Sequence, residues 1–169
     1  AGKSADYGAA LDYLKYEHVQ QHGYDSYEDL KKARDELSAK MSDARNTAKS
    51  TDADLKLLNE KIHYLGQYLS TKAAYKAFLQ ADNKRMYRSA HQDEMARYEE
   101  AVQFLKRNST DGTIPTMKDL RAEKEKLLSA QTAQYESYTY FKDYYHELQT
   151  ACRNVDIILE MEHTQQHSR

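Results

Sequence analysis

Fifteen tyrosines and no tryptophan stand in 169 residues, and Tyr135, Tyr138, Tyr140, Tyr144 and Tyr145 fall within one short stretch. A tyrosine nucleophile, with a pKa of about 10, needs a base or metal beside it to become reactive. The nearest candidate base is His146, which follows Tyr145 directly and so cannot share its face of a helix. Tyr135, Tyr138 and Tyr145 lie on an apolar seam, where a ring packs inward and its hydroxyl reaches the rim. Tyr140 and Tyr144 are four residues apart and off that seam, which makes them candidates for a docking face or a contact with a partner.

Two histidine pairs, His18 with His22 and His163 with His167, have the i, i+4 spacing at which two imidazoles can reach one ion. No cysteine or carboxylate completes either set at a recognisable spacing, so ordinary exposed histidines account for them better. The single cysteine, Cys152, excludes an intramolecular disulfide. No catalytic residue, metal or cofactor is expected.

The third group is basic. Lys84, Arg85 and Arg88 lie at a bend, Lys106 and Arg107 end a helix, and Lys118 and Arg121 open the next, with Tyr87 and Tyr98 interleaved as possible base-stacking platforms. Between Lys84 and Lys126, ten Lys or Arg face eight Asp or Glu, so a solvated helical surface outweighs nucleic-acid binding.

These residues sit on a chain patterned for long helices. Met117 to Glu160 contains no Gly or Pro and repeats Leu120, Leu127, Tyr135, Tyr138, Phe141, Tyr145, Leu148, Cys152, Val155 and Leu159 along one seam. Upstream, Ser26 to Ala81 places Leu37, Met41, Ala44, Ala48, Thr51, Leu55, Leu58, Ile62, Leu65 and Leu69 at 4,3 spacing, a heptad whose middle is small or polar. Two matched seams predict an all-α fold: a long antiparallel coiled-coil hairpin with a small helical head and an N-terminal helix. Ser26 with Glu28 and Asp29, and Thr116 with Asp119, mark the two helix starts. The N-terminal helix is expected over 6–22, with Tyr7, Leu11, Leu14 and His18 on one face, and Gly23 ends it. A head helix, broken near His91, is expected over 84–107, followed by the loop 108–116 and, after Glu160, by a frayed tail over 161–169.

Composition agrees with this picture. Charged residues make up 31% of the chain and the formal net charge is −2, which gives no global attraction to nucleic acid or to anionic lipid. No stretch approaches the roughly 20 apolar residues needed to span a bilayer, and the first residues lack the pattern of a signal peptide. A cytoplasmic protein is expected, and the start without Met reads as a fragment of a larger chain in one helical domain.

In order and spacing, the motifs resemble the C-terminal helical region of relaxases, the mobilisation nucleases of conjugative transposons and integrative conjugative elements. The stretches that carry the likeness are His22-Gly23 followed by Ser26 to Leu30, Tyr75 to Leu79, Lys84 to Arg88, Glu99 to Leu105, Ile114 to Leu120, and Asn154-Val155-Asp156 with Ile158 and Leu159. The resemblance implies a non-catalytic accessory domain of a bacterial DNA-nicking enzyme, one that binds the coupling protein or other transfer machinery or spaces the nuclease from it. A second reading has the head bind transfer-origin or single-stranded DNA. The family's nuclease motifs are absent from this stretch, which contains no His-x-His pair, so no relaxase chemistry falls on any residue here. The long seams would pair within one chain or between two, as a monomer or a coiled-coil dimer.

Overall fold

A computed structural model describes residues 12–13, 15–17 and 19–168, and among them the fold is all-helical, with no strand. Helix α1 spans Tyr27–Gln80, α2 Lys84–Ala90, α3 Gln92–Arg107 and α4 Met117–His167. The residues described between 12 and 21 are helical too, but the face of Tyr7, Leu11, Leu14 and His18 lies outside the described residues. No described helix is long and apolar enough to cross a membrane.

Side chains set the boundaries. Ser26 Oγ accepts from the Asp29 amide at 3.1 Å and Thr116 Oγ1 from the Asp119 amide at 3.2 Å, so each long helix begins on a hydroxyl cap with a carboxylate in its first turn. Asn83 Oδ1 caps α2 through the Met86 amide at 3.0 Å. Gly23 at φ 80° and Gly112 at φ 71° hold left-handed turns that a side chain would strain. At His91 the helical dihedrals lapse, with φ −125° and ψ 37°, and α2 gives way to α3. α4 does not end at Glu160 but runs on through the tail to His167.

Contacts group the chain into two compact units, residues 1–48 with 133–169 and residues 49–132. In the first, Val19, Leu30, Leu37, Leu148, Ala151, Cys152 and Val155 form the core, walled by Tyr24, Tyr27, Ala33, Phe141, Tyr144, Tyr145 and Leu159. Tyr27 meets Cys152 and Asp156, and Arg45 meets Tyr138, so α1 ascends as α4 descends. In the second unit, Leu58, Leu65, Leu105 and Leu120 form the core, with Ile62, Tyr64, Tyr68, Phe104, Ile114, Met117 and Leu127 packed against it.

Two seam positions differ from the heptad expectation. Leu69 is 52% exposed, because beyond Leu65 the inward positions of α1 continue as Tyr68 and Thr71. Successive steps of three residues each fall short of a full turn, and the face they carry rotates toward α3. Tyr135 is 70% exposed; the heptad of α4 passes from Leu127 through Gln131 and Gln134 to Tyr138, and Tyr135, one residue beyond Gln134, points to solvent. Gln131 Nε2 reaches Asp52 at 2.9 Å, and Gln134 holds its carbonyl oxygen in a buried position. α4 is thus polar along the middle of its seam, where α1 carries the small residues Ala44, Ala48 and Thr51.

The two leucines four residues apart separate a heptad position from an apparent one. Leu65→Ala removes a fully buried side chain and is expected to lower unfolding free energy by about 2–5 kcal/mol. Leu69→Ala is expected to stay within about 0.5 kcal/mol of the parent protein. Urea denaturation followed by circular dichroism measures both, and equal losses would show that Leu69 faces the core.

Candidate functional site

In the first unit Tyr24, Tyr27, Tyr138 and Tyr144 are structural ties. Tyr24 follows the turn at Gly23, and its hydroxyl lies 3.1 Å from that of Tyr144. Tyr27, in the first turn of α1, directs its hydroxyl at the Cys152 carbonyl, 3.3 Å away, and at the Asp156 carboxylate. Lys31 covers the Tyr27 ring at 4.6 Å and pairs with Glu28 at 2.7 Å. Further along, an Arg45 guanidinium nitrogen donates to Tyr138 Oη at 3.2 Å.

These contacts shape the acidity of each phenol. The hydrogen bond with Tyr144, then burial, push Tyr24 up to about 12, while burial followed by the hydrogen bond to Asp156 raises Tyr27. Arg45 lowers Tyr138 by bonding to its oxygen. Burial also raises the Cys152 thiol, which disfavours the thiolate and hence nucleophilic behaviour.

The candidate partner face is divided. Tyr140 is 65% exposed, whereas Tyr144 is half-buried against the core and occupied by Tyr24, so only Tyr140 is available as an open contact. Signals for these ties were present but unreadable from one chain end: Tyr27 follows a helix cap, and Asp156 interrupts the apolar run of Val155 and Ile158. His22 and Asn154 line one open groove together with His146 and Glu147, bringing two separate sequence motifs to the same place.

In the second unit the basic and aromatic candidates are distributed rather than convergent. Tyr98 stacks on Tyr75 with centroids 4.0 Å apart and lies 5.5 Å from Tyr68, which leaves it half-buried. Tyr87 stacks on His91 at 4.1 Å and donates to the Ala74 carbonyl at 3.0 Å. Both rings already hold α2 and α3 against the end of α1. Arg88 pairs with Glu99 at 2.8 Å and covers Phe78 at 4.8 Å; Arg107 lies 5.9 Å over Phe104. Lys84, Arg85, Lys106, Lys118 and Arg121 are exposed. Tyr64 stacks on Phe104 at 4.2 Å and donates to Glu100 at 3.3 Å, and Gln67 donates to the Arg97 carbonyl at 2.7 Å, so this junction is aromatic at its centre and polar at its edge.

In the loop 108–116, Asp111 accepts from Ser109, from the Thr113 hydroxyl and from the Thr113 amide, bonds that lower its carboxyl to about 2. They fold the loop on itself ahead of the Thr116 cap. Among the described residues, no three or more His, Cys, Asp or Glu side chains gather as a metal site.

Alkaline titration tests the ties. A tyrosine whose folded pKa is raised binds its proton more tightly when native, so its contribution to stability is complete below pH about 10 and is lost as pH rises. For Tyr24 the loss extends through about pH 12. Phenolate absorbance should show a late-ionising class that shrinks in Tyr24→Phe and Tyr27→Phe; one common transition near pH 10 would contradict the arrangement. Comparison of the chain with protein-family models, curated proteins and solved structures gives no match.

Proposed function

We propose that this chain is a non-catalytic accessory module of a conjugative relaxase in the bacterial cytoplasm. In this reading it is an antiparallel coiled-coil hairpin that spaces the nuclease and holds a protein of the transfer machinery, such as the coupling protein. The supporting observation is the pairing of α1 with α4. From the Tyr27–Asp156 contact to the Arg45–Tyr138 contact, the chain advances along α1 by as many residues as it returns along α4, a constant antiparallel register.

Further support comes from the stretches that carry the resemblance. Leu30 shares a core with Val155, Tyr27 bonds Asp156, and His22 lines a groove with Asn154, so the opening and closing motifs form one packed unit. Tyr140 is the partner-contact residue of this reading, since its ring is exposed on α4 while Tyr144 serves the fold. Direct DNA binding by the head is the weaker reading, because Tyr87, Tyr98 and Arg88 are engaged within the protein.

The test separates transfer from chemistry. In donor cells carrying the parent relaxase, Tyr140→Ser is expected to reduce element transfer and coupling-protein capture while leaving nicking of origin DNA unchanged. The isolated chain is expected to bind single-stranded or duplex origin DNA no tighter than roughly 10⁻⁵ M at physiological salt. Submicromolar DNA binding lost in the Lys84, Arg85 and Arg88 triple Ala variant would replace the partner reading with the DNA reading.

A further inference from the structure

The continuation of α4 to His167 gives the histidines near its end a geometry that a frayed tail would not have. His163 and His167 stand one turn apart, both exposed, with ring centroids 4.2 Å apart and planes at 83°. The hydroxyls around them bond backward along the helix, Thr164 to the Glu160 carbonyl at 2.9 Å and Ser168 to the Gln165 carbonyl at 3.2 Å. Neither hydroxyl is directed at an imidazole.

An imidazole nitrogen binds a late transition ion at about 2.0–2.1 Å, which places the ion about 3.2 Å from the ring centroid. For two rings sharing one ion, the centroids would be about 4.5 Å apart at a right angle and about 5.2 Å apart at a tetrahedral angle. The 4.2 Å separation is closer to the right angle, which suits adjacent positions of a tetragonal ion. Exposure of both rings leaves the side chains room to turn their nitrogens toward a common point.

We propose that His163 and His167 form a two-imidazole chelate for a divalent late transition ion, Cu²⁺ or Ni²⁺, with water in the remaining positions. The chelate requires the helix, because the helical turn is what brings residues four apart side by side on one face. An ion bound there favours the helical last turns over the unwound chain by mass action. The site is independent of the relaxase reading.

Cu²⁺ titration of the full chain, followed by calorimetry and electron paramagnetic resonance, tests the assignment. One saturable site with a two-nitrogen signature is expected. His163→Gln and His167→Gln should each abolish it. Combining His167→Gln with Gln165→His keeps two imidazoles but moves the second off the shared face, and should abolish it as well. The His22→Gln, His146→Gln double variant should retain the site. Absence of saturable binding, or its persistence in either single variant or in the register-shifted variant, would overturn the proposal.

Discussion

A helix of more than fifty residues with a single apolar stripe buries little by itself, so α1 and α4, at 54 and 51 residues, depend on the pairing of their seams. Everything else in the fold is arranged around this requirement. In the first unit, Leu30 and Leu37 meet Leu148, Ala151, Cys152 and Val155; in the second, Leu58 and Leu65 meet Leu120 with Leu105 of α3. Leucine burial supplies the attraction but is tolerant of sliding. Polar contacts such as Arg45 with Tyr138 and Asp52 with Gln131 are directional, and they favour one register over its neighbours.

The aromatic content follows from the same architecture. Where α1 leaves its heptad, beyond Leu65, Tyr68, Tyr75 and Phe78 meet Tyr98 and Tyr87 in a chain of stacked and tilted rings. Planar rings fill the wider space between helices that do not follow a heptad, and the Tyr87 hydroxyl bonds to the Ala74 carbonyl. Tyr27 and Tyr24 perform the equivalent service near the start of α1. Much of the tyrosine content is therefore a packing solution, although Tyr13, Tyr16, Tyr135 and Tyr140 are exposed, and the raised phenols of Tyr24 and Tyr27 are consequences of burial and pairing.

The all-helical character and the long helices were legible in the sequence because caps, breakers and a 3.5-residue period are local signals. What escaped was non-local. Tyr135 attracts assignment to the seam by its size, yet the period requires Gln131 and Gln134, and only the paired helix shows why polar side chains are acceptable there. Leu69 satisfies the heptad in sequence, but α3 replaces α4 as the neighbour of that part of α1, and no pattern within α1 announces the change of partner. Tyr144 stands off the seam in sequence, but Tyr24, distant along the chain, occupies it. The tail lacks apolar periodicity, which governs packing but is not needed to continue a helix already begun.

The fold of the first unit rests on the antiparallel pairing of α1 and α4, and a distance within that unit tests it most directly. Spin labels at exposed Glu28 and Glu160, introduced as cysteines in a Cys152→Ala background, report the separation by pulsed electron resonance. Antiparallel pairing places both labels at the same end of the unit, with a narrow distribution near roughly 20 Å, given helix spacings of about 10 Å and a rise of about 1.5 Å per residue. A distribution centred near roughly 50 Å or beyond, as parallel alignment of the two helices requires, would contradict it.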